Sequence, residues 1–209
     1  MVPQPGIYVP DEAQAAKGLA TRKALFLDRD GVINVNHGYV CSPERTDWVP
    51  GIFDLCAIAR DTGYVLVVVT NQAGIARGLY TEAEFLDYTR WMHSEFEARG
   101  VPLTATYYCP HHPHAALDIY RAECGCRKPA PGMILTAARQ LQIDLQQSLL
   151  VGDKHSDIVA AKLAGVGLPL LFSCDEEGEE IERFQRVSNH SETRTVFFQV
   201  VDQLGKFGS

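Results

Sequence analysis

The residues of this 209-residue chain whose types and spacing could do chemistry fall into two sets. In FLDRDGVIN, Asp28 and Asp30 stand two apart directly after an apolar run. In VVVTNQAG a second run ends in Thr70, Asn71 and Gln72, and in LLVGDKHSD a third ends in Asp153, with Lys154 and Asp157 behind it. Any one of these aspartates could simply cap a following helix. As a set they mean more, because neighbouring carboxylates repel unless a cation joins them, and hard oxygen donors of this kind suit Mg²⁺. Asp157 lies four residues after Asp153, so a helix would put both on one face, where Asp157 could orient Lys128 or a metal-bound water. The second set is Cys109-x-His111 and Cys124-x-Cys126, separated by twelve residues and followed at once by Arg127 and Lys128. Three thiols and an imidazole suit tetrahedral zinc, with His112 and His114 competing with His111 for the fourth place. Free buried thiols or a Cys124–Cys126 redox pair are the alternatives. An ordinary structural bridge is disfavoured, because C-x-C closes a very tight ring.

Something must bring these residues together, and the pattern between them says what. KALFLD (23–28), YVLVVVT (64–70), TATYYC (104–109), SLLVGD (148–153) and LPLLF (168–172) are short apolar runs that predict buried strands. Helical stretches near 51–62, 81–99, 131–142 and 155–164 separate them. Thr81 with Glu84 forms a T-x-x-E capping box, and Gly100 and Gly165 stand where helices end. Strand–helix alternation predicts an α/β fold, a doubly wound parallel sheet covered on both faces. In such sheets ligands bind beyond the carboxyl ends of the strands, where these carboxylates fall. Residues 1–22 show no clear period and predict an irregular arm. EEGEEIERFQRV predicts a solvated acidic helix, and RTVFFQVVDQL a last strand or helix.

Composition bounds the function. A formal net charge of -7 argues against nucleic acid as the main ligand, while a local cationic pocket could still take a phosphorylated metabolite. No apolar run approaches the roughly 18 residues of a membrane span. The start of the chain does not read as a secretory signal. The uneven clustering of the cysteines suits a metal site in a reducing compartment, so the cytoplasm is the expected location.

DRDGVIN, TNQ, RKP and GDKHSD, in that order, resemble the motifs of haloacid-dehalogenase-type (HAD) phosphatases over residues 23 to 172. The resemblance implies a domain over 23–209 without a large cap. Asp28 would be the nucleophile and Asp30 the acid and base. Those two tasks need different protonation states, which a site must separate by environment. Thr70 and the Asn71 backbone would hold phosphoryl oxygens, Lys128 would neutralise charge, and Asp28, the Asp30 carbonyl and Asp153 would bind Mg²⁺. CPHHP and CGCRKP resemble the zinc loop of the histidinol-phosphate and heptose-bisphosphate phosphatase subfamily. This implies Cys109, His111, Cys124 and Cys126 as ligands of a structural zinc in a loop spanning 109–126.

NVNHGYV is similar to the N-V-D-H-G-Y-V segment of the heptose-bisphosphate phosphatases, with Asn36 where Asp is usual. TNQAGIARG is similar to their TNQSGIARG. The resemblance implies that Arg29, Asn36, His37, Gly38, Tyr39, Gln72 and Arg127 line the substrate site, Arg127 reaching a second phosphate. It implies hydrolysis of the 7-phosphate of heptose 1,7-bisphosphate by a monomer. Histidinol-phosphate hydrolysis is the enzymatic alternative. A zinc-stabilised binding protein with a dead phosphatase fold is the non-enzymatic one.

Overall fold

The computed structural model describes residues 4–10 and 21–172. The predicted acidic helix and the last element lie outside the described residues. The elements are β1 (Gly6–Tyr8), β2 (Lys23–Leu27), α1 (Ile52–Asp61), β3 (Tyr64–Asn71), α2 (Ala73–Ala76), α3 (Glu82–Ala98), β4 (Ala105–Cys109), α4 (Gly132–Leu141), β5 (Leu149–Gly152), α5 (His155–Ala164) and β6 (Leu168–Leu171). Every predicted strand and helix within these residues is present, with boundaries shifted by a residue at most ends.

The strands form one sheet in the order β1-β4-β3-β2-β5-β6. All neighbours are parallel except β1, which pairs antiparallel with β4 through Gly6↔Tyr108 and Tyr8↔Thr106. The expected irregular arm therefore contributes an edge strand. Three residues are too few to show a period, and their pairing partner lies about a hundred positions away in sequence.

Alternation along the strands divides the core. Leu25, Leu27, Leu66, Val68, Leu149 and Val151 face Ile52 and Leu55 of α1 and Met92 and Phe96 of α3. Ala24, Phe26, Val67, Val69 and Leu150 face Met133, Ile134 and Ala137 of α4 and Ala160 and Ala161 of α5. Both faces of the sheet are buried, which is why its strands read as continuous apolar runs instead of alternating ones. Pro169, which cannot donate to a ladder, sits on the edge strand β6.

The helix ends follow the predicted chemistry. Thr81 Oγ1 accepts from the Glu84 amide at 3.1 Å while Glu84 Oε2 accepts from the Thr81 amide at 2.7 Å. Gly165 closes α5 at φ 85°. From β2 the chain runs outward through β3 to β4, then returns to place β5 on the other side of β2. That reversal leaves a crevice beyond the carboxyl ends of β2 and β5, bordered by β3, and the carboxylates stand in it.

Candidate active site

Asp28 follows β2 directly, and its backbone amide donates to Val151 O at 2.9 Å, joining the ends of the two central strands. Asp153 follows β5, and Asp157 lies in the first turn of α5. Carboxylate oxygens of Asp28, Asp153 and Asp157 lie within 4.8 Å of one another. Gly31 makes this approach possible: at φ 98°, it lies where a Cβ would run into the Asp153 carboxyl.

Lys128 enters the cluster from the loop before α4. Only 4% exposed, its Nζ donates to Asp28 Oδ1 at 2.8 Å and Val69 O at 2.8 Å, and pairs with Asp157 Oδ1 at 2.5 Å. Its backbone is held as firmly. Asn71 Nδ2 donates to Lys128 O and the Lys128 amide donates to Asn71 Oδ1, each at 3.0 Å. The Asn71 amide thus acts as a section of strand edge that fixes the lysine's position. Asp157 is committed on both oxygens, because Oδ2 accepts the Lys154 amide at 2.9 Å.

The electrostatics separate the carboxylates. Burial would raise Asp28, but the ammonium of Lys128 overrides it and holds the group below the usual range. Burial lowers and the two carboxylates raise the affinity of Lys128 for its proton; the carboxylates win, and it stays cationic. Asp153 is different. Burial and the nearby Asp28 charge push it up to about 7, against a smaller opposing pull from Lys154, whose Nζ lies 3.0 Å from Oδ2. A carboxyl raised in this way would be returned to its ionised form by a bound cation. Hard oxygen donors gathered in this way fit Mg²⁺, with Asp28 and Asp153, the latter paired with the exposed ammonium of Lys154, as the side chains to hold it. Asp157, spent on Lys128 and the α5 backbone, serves as the anchor of the lysine.

Asp30 turns away from this cluster. Its Oδ1 accepts from Asn34 Nδ2 at 3.2 Å, its Oδ2 from Gln72 Nε2 at 3.3 Å, and both oxygens face Arg29 Nη2. Gln72 also donates to Thr70 Oγ1 at 2.9 Å and accepts from Tyr80 Oη at 2.7 Å. The sequence reading assigned Arg29 and Gln72 to substrate. The structure buries both, at 0% and 1% exposed, and directs their hydrogen bonds to Asp30 and its neighbours.

Asn36, His37, Gly38 and Tyr39 form an exposed loop that leads into Val40, whose carbonyl accepts from Arg29. Asn36 Oδ1 accepts the Gly38 amide at 3.1 Å, and His37 Nε2 lies 2.7 Å from Asp47 Oδ2. Arg45 donates to the carbonyls of His37 and Gly38, at 3.2 Å each. Tyr39 is in the left-handed region at φ 52°, with the Arg77 guanidinium 5.6 Å from its ring centre. Arg127, half-buried, donates to His111 O at 3.3 Å.

The thiol set closes as a group. The Sγ atoms of Cys109, Cys124 and Cys126 lie 3.1 to 3.5 Å apart, and His111 Nδ1 is 3.7 Å from Cys109 and 3.5 Å from Cys126. Zn–S bonds of about 2.3 Å in a tetrahedron put sulfurs roughly 3.8 Å apart, close to this arrangement, whereas a disulfide needs about 2.05 Å. Hydrogen bonding to Cys109 draws the Cys126 thiol down to about 5, with smaller help from Cys124 and His111. The same hydrogen bond, with burial, raises Cys109, and burial raises Cys124, so the lowering is confined to Cys126. His111 is the imidazole in it; His112 instead accepts the His114 amide at its Nδ1. The loop is tied back to the body where Leu117 donates to Ala76 O and Gly132 to Gly125 O.

Comparison with known proteins agrees with this geometry. A family model described as HAD-hydrolase-like matches residues 125–186. The D-glycero-beta-D-manno-heptose-1,7-bisphosphate 7-phosphatase of Vibrio cholerae is 49% identical over 164 residues, 77% of this chain and 88% of that protein. The chain belongs to the heptose-1,7-bisphosphate 7-phosphatase family of HAD-like hydrolases. A family member from Burkholderia mallei, named for the alpha anomer, is 48% identical over 76% of this chain and 84% of its own length. The solved D,D-heptose 1,7-bisphosphate phosphatase of B. bronchiseptica, complexed with magnesium and phosphate, superposes with a TM-score of 0.71. It is 31% identical, covering 87% of this chain and 99% of that one. A HAD-like phosphatase of Mesorhizobium loti superposes at 0.79 with 30% identity, covering 97% of this chain and 95% of that one. The solved B. bronchiseptica relative binds magnesium and phosphate, and the oxygen donors gathered here suit a cation of that kind.

One functional residue escaped a definite assignment from sequence. Asp157 is the anchor of Lys128, whereas the spacing from Asp153 leaves open whether it orients Lys128 or a metal-bound water. The contact depends on the approach of the α4 loop, which lies about thirty positions earlier in the chain.

Proposed function

We propose that this protein is a Mg²⁺-dependent phosphatase that removes the 7-phosphate from D-glycero-D-manno-heptose 1,7-bisphosphate, a step towards nucleotide-activated heptose for lipopolysaccharide core or another surface glycan. The observation that carries the reading is Asp28. It is buried and kept ionised by Lys128, beside a second carboxyl, Asp153, that burial and the Asp28 charge push up to about 7 despite its pair with Lys154. An ionised carboxylate in a shielded crevice is a competent nucleophile towards phosphorus.

Asp28 attacks the phosphorus while the bond from phosphorus to the sugar oxygen breaks, giving an aspartyl-phosphate. Asp30 supplies the proton to the departing oxygen. Water then attacks the same phosphorus, its proton passes to Asp30, and the Asp28 carboxylate is released with inorganic phosphate. Lys128 offsets charge on the phosphoryl oxygens throughout, and Thr70 and the Asn71 backbone position them. Bound Mg²⁺ would add charge neutralisation at the phosphoryl group, held by Asp28, Asp153 and the Asp30 carbonyl.

The exposed Asn36–Tyr39 loop and Arg127 are the surfaces for the sugar and its second phosphate. A guanidinium fork suits a phosphate dianion. Asn36 hydrogen-bonds without charge and is already used by Gly38. Relatives named for the beta and the alpha anomer are almost equally similar to this chain, so identity alone favours neither. The thiol-held zinc and the capless site support a monomer working in a reducing cytoplasm.

The test compares phosphate release from both heptose bisphosphate anomers and from histidinol phosphate. Faster turnover of histidinol phosphate would overturn the substrate reading. An unchanged rate in Asp28→Asn would overturn the catalytic one.

A further inference from the structure

The reaction above leaves Arg29 without a task, although the fold spends much on it. Its side chain is 1% exposed and lies between the rings of Phe85 and Tyr88, 5.6 and 5.2 Å from their centres. One nitrogen, Nη2, donates to Asp30 Oδ1 at 2.9 Å, to Asp30 Oδ2 at 2.8 Å and to Val40 O at 2.7 Å. Nε and Nη1 are buried with no hydrogen-bond partner. Among the described residues, Asp30 is the carboxylate that pairs with this cation. A buried guanidinium with unmet donors costs stability, and such a cost is usually retained where the group has a use beyond folding.

The geometry shows what that use can be. Val40 immediately follows the Asn36–Tyr39 loop. Through a single nitrogen, Arg29 ties the Asp30 carboxylate to the base of the loop that faces the sugar. Asn34 and Gln72 hold the same carboxylate from its other sides, at 3.2 and 3.3 Å.

We propose that Arg29 is a positioning residue that fixes Asp30 relative to the substrate loop, so that a sugar held by the loop presents its leaving oxygen to Asp30. It does not touch the substrate. The proposal rests on the reading of Asp30 as acid and base.

A leaving group that needs a proton must feel the loss of this alignment; one that departs unaided must not. The assay is single-turnover cleavage by the Mg²⁺-loaded full chain, with enzyme in excess, of heptose bisphosphate and of p-nitrophenyl phosphate. Rates are taken per folded chain, with the folded fraction from circular dichroism. Arg29→Lys is the deciding variant, since it keeps the buried charge and loses the fork; Arg29→Met is the stronger perturbation. The expected result for Arg29→Lys is a loss of roughly 100-fold on heptose bisphosphate, in the range of general acid catalysis, and less than about threefold on p-nitrophenyl phosphate. Adding Arg29→Lys to Asp30→Asn should cost less than about threefold more, because the two residues act as one unit. Equal losses on both substrates, or full additivity with Asp30→Asn, would overturn the proposal and leave Arg29 a structural residue. If Asp30→Asn itself spares heptose bisphosphate, the acid–base reading has failed. If Asp30→Asn loses that activity while Arg29→Lys keeps it, only the positioning role has failed.

Discussion

Replacing Asp157 by Asn tests how the site holds its lysine. The change keeps the shape of the side chain and removes its charge. In the native protein Lys128 Nζ is shared by Asp157 Oδ1 at 2.5 Å, Asp28 Oδ1 at 2.8 Å and Val69 O at 2.8 Å, all in a buried setting. Removing one partner of a buried ion pair costs about 3–5 kcal/mol when the other charge is left alone. Here Lys128 keeps Asp28 and a carbonyl, and the repulsion between Asp157 and Asp28 is relieved. The expected loss is therefore lower, about 2–3 kcal/mol, or roughly 5–10 °C in Tm for a chain of this size. The Lys128 ammonium should drift towards Asp28, and kcat should fall by about 10- to 100-fold, the scale associated with misplacing a reacting group by a fraction of its contact distance. Because both Asp157 oxygens are committed to Lys128 and the Lys154 amide, Mg²⁺ affinity should change by less than about threefold. Thermal melts, steady-state kinetics and Mg²⁺ titration by calorimetry give the three readings. A variant whose activity returns to normal at high Mg²⁺ would refute the reasoning, for it would make Asp157 a metal ligand. An unchanged Tm and kcat would refute it equally.

Three further outcomes are expected. Cys126→Ser should release zinc, measurable with a colorimetric chelator, and lower both Tm and activity, because Arg127 and Lys128 follow the last thiol directly; full activity in the zinc-free variant would separate the loop from catalysis. Asp153 must lose its proton to bind Mg²⁺, and its carboxyl sits at about 7 without the ion. Mg²⁺ affinity should then weaken about tenfold per pH unit below 7, with proton release on binding seen as buffer-dependent heats in calorimetry; a pH-independent affinity would contradict the assignment. His93, 5% exposed and 2.9 Å from Thr106 Oγ1, is pushed by burial down to about 4 from 6.5. The unfolded chain binds that proton first, so stability rises with pH between 4 and 6.5 and is lost on acidification through that window, by roughly 3 kcal/mol in all. His93→Gln should flatten this limb in urea titrations at pH 4.5 and 7.

Much of the fold was readable before any coordinates because both faces of the sheet are covered. A strand buried on two sides must be apolar throughout, so KALFLD, YVLVVVT and SLLVGD stand out against helices that are apolar on one stripe only. Capping at Thr81 and the glycine stop at Gly165 are equally local, since their partners lie within one helical turn. The edge strand Gly6–Tyr8 was not legible, because its stability comes from Thr106 and Tyr108 across the sheet. The same division runs through the active site.

Residue types and spacing were enough to single out Asp28, Asp30, Lys128, Asp153 and the three thiols as chemical groups, since repulsion among carboxylates and the ligand preferences of metals depend on identity. The choice of His111 over its neighbours followed from resemblance, and the fold placed it among the thiols. The work each polar group does was decided by the tertiary structure. The resemblance implies Arg29 and Gln72 as substrate contacts, yet burial turns them onto Asp30, and Asp157 becomes the anchor of Lys128 only when the α4 loop meets α5. Identity is a property of one position. Burial, partner and protonation are properties of the space around it, which residues distant in the chain build together.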